Sequence, residues 1–129
     1  MAQATTPDEK SALVLFAHGS RDPLWADPFR AIQNQLRERQ PKLTVELAFL
    51  EIMEPSLTDA AARLAASGYT RLTIAPLFMA QGAHLKRDLA GIMTLLRERH
   101  VHTQFVVLPA LGEVDEVRES IGAWIGRHA

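Results

Sequence analysis

The sequence predicts an α/β domain built on a single doubly wound, mainly parallel four-stranded sheet flanked by helices. Apolar runs of strand length, such as residues 12–17 (ALVLFA), are continuous rather than alternating, which suits strands buried on both faces. Such runs alternate with segments of helical spacing, four of each along the chain. The whole is 129 residues, a length that fits one core. Right-handed crossovers then make a flavodoxin-like strand order of 2-1-3-4 the natural small arrangement.

The first ten residues, MAQATTPDEK, are polar and carry no apolar signal core, so residues 1–10 read as a flexible N-terminal extension and 11–129 as the domain. After the first strand comes a turn-rich loop, His18-Gly19-Ser20-Arg21-Asp22-Pro23. A helix starts near Asp27-Pro28, with Asp as its N-cap, carries Phe29, Ile32 and Leu36 at helical spacing to about Arg39, and ends before Pro41. The second unit has a strand over 43–50 (LTVELAFL), a loop over 51–55, and a helix through Leu57, Ala61, Leu64 and Ala65 that Gly68 closes. The third has a strand over 71–77, a longer loop FMAQGAH, and a helix from about Leu85 to Arg99. The fourth strand covers 104–108. The last helix covers about 114–127, with Val114, Val117, Ile121, Trp124 and Ile125 as its buried stripe.

Composition excludes several kinds of chemistry. The chain has no cysteine, which removes disulfides, thiolate zinc sites, iron–sulfur clusters and cysteine nucleophiles. A net charge of −1 and a pI near 6.5 speak against a nucleic-acid partner. No apolar stretch approaches the ~18 residues of a membrane span, so no membrane partner is expected and the cytoplasm is the expected location. There is no G-x-G-x-x-G and no G-x-x-x-x-G-K-[ST], and Ser20 lies outside any G-x-S-x-G. Ser20 reads first as a cap or loop hydrogen-bonder. Ala17, before His18, stands where a phosphohistidine phosphatase would carry Arg.

Ligands of open α/β sheets bind beyond the carboxyl ends of the strands. There the first strand delivers His18, the second Glu51, and the third, through its loop, Gln81, Gly82 and His84. His18, Glu51 and His84 follow one another at intervals of 33 residues. In the order 2-1-3-4 their strands are neighbours about 4.8 Å apart. Two imidazoles and a carboxylate suit a first-row ion such as cobalt, iron, nickel or zinc, and either imidazole can take a proton near neutral pH. Each residue has a plainer alternative. For the histidines it is that of loop residues bonded to backbone, and for Glu51 that of a helix cap or the partner of an arginine. His100, His102 and His128 fall toward the other end of the sheet as surface residues.

Three stretches together resemble the CbiX/SirB sirohydrochlorin chelatases. They are residues 15–23 (LFAHGSRDP), residues 49–51 with 54–57 (FLE and EPSL), and residues 76–88 (PLFMAQGAHLKRD). The resemblance covers residues 11–125, and this chain is similar to the short, single-domain members. It implies ATP-independent insertion of a divalent metal, cobalt or iron, with nickel a further candidate, into sirohydrochlorin for cobalamin or sirohaem synthesis. The metal would be a substrate, with no tightly bound cofactor. His18 and His84 take the catalytic and metal-binding places, and Glu51 the third metal-binding place. Arg21, Lys86 and Arg87 beside the motifs are candidates to pair with the carboxylates of the macrocycle, with Ser20, Gln81 and Gly82 as further substrate contacts. Phe78, Met79 and Leu85 would stack on the ring or pack in a core or interface. The resemblance also implies a homodimer. A non-catalytic metal or tetrapyrrole carrier using the same histidines is the alternative, and a plain α/β interaction module the third possibility.

Overall fold

The computed structural model describes residues 9–129. Four strands, β1 (Ser11–Ala17), β2 (Thr44–Phe49), β3 (Arg71–Pro76) and β4 (Gln104–Val107), form one sheet in the order β2-β1-β3-β4. Every pairing is parallel, in the register Leu15↔Leu47 and Leu15↔Ala75 across the centre and Ile74↔Val107 at the edge. The helices are α1 (Asp27–Arg39), α2 (Leu57–Ala66), α3 (Ala83–Arg99) and α4 (Asp115–Gly126). Both the sheet and its order match the expectation. Most ends differ from it by only one or two residues, the ordinary fraying of element boundaries. The expected extension falls mostly on residues 1–8, outside the described residues. Lys10 is tied to the domain, its amide donating to Thr70 Oγ1 at 3.0 Å and its carbonyl accepting from Thr70 at 2.8 Å.

Strand alternation divides the core in two. Val14, Phe16, Ala48, Leu72 and Ile74 point to one face, where α2 and α3 cover them with Leu57, Leu64, Leu89, Met93 and Leu96. Leu15, Ala17, Val45, Leu47 and Phe49 point to the other, where α1 contributes Phe29, Ile32 and Leu36. This two-sided cover explains why β1 is apolar without interruption. Ser56 caps α2, its Oγ accepting from the Asp59 amide at 3.1 Å.

Three expectations need correction. Asp27 is the first residue of α1 rather than its cap, because a 3₁₀ turn, Pro23–Ala26, precedes it. Asp22 caps that turn by accepting from the Leu24 amide at 3.0 Å. α3 begins at Ala83, so His84 sits in a helical first turn and not in the loop. The apolar stripe of α4 is not buried: no residue of that helix is, and Trp124 and Ile125 are 58% and 57% exposed. α4 packs chiefly on the 3₁₀ turn Leu111–Glu113, and its first turn stands across a groove from Ala75 and Leu77. α1 covers only the β1–β2 half of its face. Ala75, Leu77, Val106 and Leu108 therefore lie on a sheet surface without a helix, with Leu108 42% exposed.

Candidate functional site

The carboxyl ends of β2, β1 and β3 form one rim, and main-chain hydrogen bonds continue the sheet beyond the strands. The Leu50 amide donates to the Ala17 carbonyl at 2.8 Å, the Glu51 amide to the His18 carbonyl at 3.0 Å, and the Leu77 amide to the Phe16 carbonyl at 2.8 Å. His18 and Glu51 are thus neighbours by backbone pairing, and the third motif starts one strand further on.

Gly19 makes this approach possible. Its φ is +107°, and a Cβ there would run into the Glu51 carbonyl oxygen. On the Glu51 side, Ile52 is held at φ +69°, a conformation β-branched residues rarely adopt, and is 61% exposed. Such strain persists where surrounding structure enforces it, often at functional loops. Here the Met53 amide donates to the Glu51 carbonyl at 2.7 Å and closes the turn.

The His18 imidazole is exposed, but one side meets a ring. Phe78 stands edge-on to it with centroids 5.5 Å apart and planes at 85°. Phe78 in turn packs edge-on to Phe16 at 5.6 Å. At 8% exposure it belongs to the core. That settles its fate as packing, whereas Met79, 60% exposed, remains on the surface. His84 is exposed in the first turn of α3. Gly82 occupies the N-cap position without a capping side chain, and no acidic residue lies in the first turn. The helix therefore presents unsatisfied amides and positive dipole charge beside His84.

The plainer roles expected of Glu51 are not the ones it plays. Ser56 caps the following helix, and no described ion pair includes Glu51. Its side chain is exposed, and its backbone is paired with that of His18. Among the described residues, however, no three His, Cys, Asp or Glu side chains are gathered closely enough to hold a metal. The shared rim is present, and the expected trio is not closed upon a common point. Ser20 is engaged locally, its Oγ accepting from the Asp22 amide at 3.1 Å, as the cap-or-loop reading anticipated. Arg21, Lys86 and Arg87 are exposed and take part in no described ion pair. Gln81 and Lys86 line a groove of about 280 Å³ with Met93, Arg97 and Val107, so these two face the α3–β4 side of the molecule. Sequence reasoning missed the parts of Gly19, Ile52 and Phe78. The glycine and the aromatic ring were visible in the motifs, but their contacts come from other strands.

Comparison with known proteins gives a consistent picture. The CbiX family profile matches residues 12–126. The sirohydrochlorin cobaltochelatase of Methanopyrus kandleri is 36% identical over 84 residues, 65% of this chain and 59% of that protein. That of Methanosarcina acetivorans is 31% identical over 87 residues, 67% of each chain. The matched region thus spans about three-fifths to two-thirds of these relatives. A crystal structure of a putative cobalamin biosynthesis CbiX protein from Marinobacter aquaeolei superposes with a TM-score of 0.80 at 25% identity, covering 93% of this chain and 95% of that one. The sirohydrochlorin chelatase SirB from Bacillus subtilis, in complex with cobalt, shares the fold with a TM-score of 0.76 at 21% identity, covering 92% of this chain and 50% of SirB.

Proposed function

Because the chain belongs to the CbiX family, we propose that it inserts a divalent metal ion, cobalt or iron, into sirohydrochlorin without nucleotide hydrolysis, acting as a homodimer. The observation that carries this reading is the rim itself. Adjacent parallel strands deliver His18 and Glu51, joined through their backbones, and β3 leads into His84 at a helix N-terminus. All three side chains are exposed, and no described side-chain hydrogen bond or ion pair engages them.

Insertion exchanges one divalent ion for two pyrrole protons. The ion must shed water, and the ring must present four nitrogens. In this reading His18 and His84 replace water on the ion through imidazole nitrogens, and Glu51 supplies a third donor. An open donor set leaves exchangeable positions through which the macrocycle takes the metal over; a closed four-ligand site would hold it. As the ion passes to the ring, the imidazole nitrogen it leaves is free to accept one pyrrole proton, and solvent takes the second. The edge-on Phe78 ring limits the rotation of His18 and so directs its nitrogens.

The macrocycle's peripheral carboxylates need positive partners. The free amides at the start of α3 and the exposed Arg21, Lys86 and Arg87 supply them. The Ser20 hydroxyl keeps its proton to donate, and Gly82 leaves open space above the helix start. Gln81 and Lys86 serve a substituent reaching the α3 side.

The test is spectroscopic: sirohydrochlorin and cobalt(II) with and without catalytic amounts of protein. Many turnovers per chain are expected, with at least a roughly 100-fold loss in His18→Ala and His84→Ala. A spectral change that stops at one equivalent would identify a carrier and overturn the enzyme reading.

A further inference from the structure

We propose that Ile52 bears on the apolar face of the macrocycle and holds it over His18, as one lip of a pair whose other member is Met79. This deepens the reading above and rests on it, since the occupant is the metal-free tetrapyrrole. The observation behind it is a residue unfavourable in two ways at once. Ile52 is the one non-glycine among the described residues held at positive φ, and its side chain stands out in solvent. A β-branched residue suits that backbone poorly, and a large apolar one suits open water poorly. Asparagine or glycine would fill the position at less cost. Ile52 belongs to neither core cluster, so the protomer itself makes no use of its side chain. A backbone outlier without an internal role for its side chain points to an external one.

The surrounding structure enforces the outward pose. The Met53 amide donates to the Glu51 carbonyl across Ile52, and with the positive φ this is the rare, strained form of γ-turn. Met53 then packs into the core cluster that α1 covers. On the other side the Glu51 amide is bonded to His18, and the Glu51 carbonyl oxygen lies against Gly19. With residues 51 and 53 fixed, the residue between them projects from the rim. Met79 repeats the device on the far side of β1. Its predecessor Phe78 is anchored in the core and accepts from the Gly112 amide at 3.0 Å. The Met79 carbonyl fills the space that a Cβ on Gly112 would take. Each lip is thus held by its main chain against a glycine from a neighbouring segment, and each side chain is left free.

β2 and β3 flank β1, so the loops carrying Ile52 and Met79 leave the sheet two strand spacings apart, about 9–10 Å, with the end of β1 and His18 between them. A flat ring resting on both lips therefore crosses the imidazole. Leu24, in the 3₁₀ turn after the His18 loop, is exposed as well, so each of the three loops offers one strongly exposed apolar side chain. Arg21 stands in the same loop as His18, and Arg87 in the second turn of α3, both exposed and in no described ion pair. Apolar points with cations around them suit a ligand that has an apolar face and an anionic edge, which is the make-up of sirohydrochlorin.

The test separates binding from turnover. Sirohydrochlorin binding is followed by its absorption without metal, and insertion is followed with cobalt(II). Ile52→Asn is expected to raise Kd and KM for sirohydrochlorin about tenfold, the worth of roughly half an isoleucine side chain withdrawn from water. Its kcat and its cobalt(II) affinity are expected to stay within about twofold of the parent, the pattern of a contact made equally in ground and transition states. Met79→Gln is expected to act in the same direction. Ile52→Leu, which keeps the apolar area, is expected to bind as the parent does. So is Val101→Asn, which alters an exposed apolar residue at the opposite end of the sheet. A parent chain that neither binds nor metallates sirohydrochlorin would overturn the chelatase reading and this one together. A working parent with an unchanged Kd in Ile52→Asn would overturn this one alone. An equal loss in Ile52→Leu or Val101→Asn would also overturn it, since apolar area at this rim would then not be what the ring reads.

Discussion

Phe78 holds its ring at right angles to His18 while turning its other side to Phe16 in the core. The exposed imidazole is therefore backed by an element of the hydrophobic interior rather than by a polar partner. Phe78→Leu keeps the site apolar and is expected to cost about 1–2 kcal/mol of stability. It is also expected to lower kcat about tenfold with little change in the KM for sirohydrochlorin. Steady-state kinetics at a temperature where both proteins are fully folded check this, and an unchanged kcat would remove Phe78 as a positioning residue.

Glu51 neither caps a helix nor forms a described ion pair. Glu51→Gln is expected to leave stability within about 0.5 kcal/mol of the parent, as for a surface substitution. Cobalt(II) affinity is expected to fall about tenfold, because an amide oxygen is a weaker donor than a carboxylate. Isothermal titration with cobalt(II) decides, and equal affinities would restrict the grip to the histidines.

Gly19 faces two penalties if a side chain is added. Its φ of +107° disfavours any L-residue, and the Glu51 carbonyl oxygen fills the space a Cβ would take. Gly19→Ala is expected to destabilise the protein by about 2–4 kcal/mol and to separate the first two loops. Urea denaturation measures the first effect. The second appears as lost turnover in the fraction that remains folded.

Ile52 offers the opposite case. It is exposed and strained at φ +69°, a conformation Asn tolerates better. Ile52→Asn is expected to raise stability by about 1 kcal/mol, seen as a higher urea midpoint at constant slope. A lower midpoint would show that its side chain is needed where it stands.

The metal is a substrate in this reading, and the donors lie outside the core. Treatment with a chelator is therefore expected to leave Tm within about 1 °C, unlike a protein folded around its ion. Cobalt(II) at about 100 times its Kd is expected to add about 2.7 kcal/mol by mass action. Differential scanning calorimetry distinguishes the cases, and a large loss with chelator alone would point to a structural metal.

The sheet order was legible because apolar runs, helical spacing and turn residues all agree along β1 to α3. The places of His18 and Glu51 were legible because each closely follows its strand, whereas His84 stands at the start of α3, beyond the loop that follows β3. The environment of α4 was not. Periodicity shows that Val117, Ile121 and Trp124 share a face, but it carries no information on whether that face is covered by the same chain. Gly19 and Gly112 illustrate a second limit. Their importance lies in carbonyl groups of Glu51 and Met79, brought near by pairing across the sheet and by the turn after β4. Phe78 shows a third: an aromatic residue in a loop motif reads equally as a ring-stacking surface or as packing, and only its neighbours Phe16 and His18 decide.

Main chain, not side chain, fixes where the first two rim positions sit, through the amide–carbonyl bridges from Leu50 to Ala17 and from Glu51 to His18. Such a frame behaves like a pegboard. If residues 18 and 51 hold the ion as proposed, they can be swapped for harder or softer donors while the board keeps its spacing, and metal preference becomes a property that protein engineers can retune without redrawing the backbone.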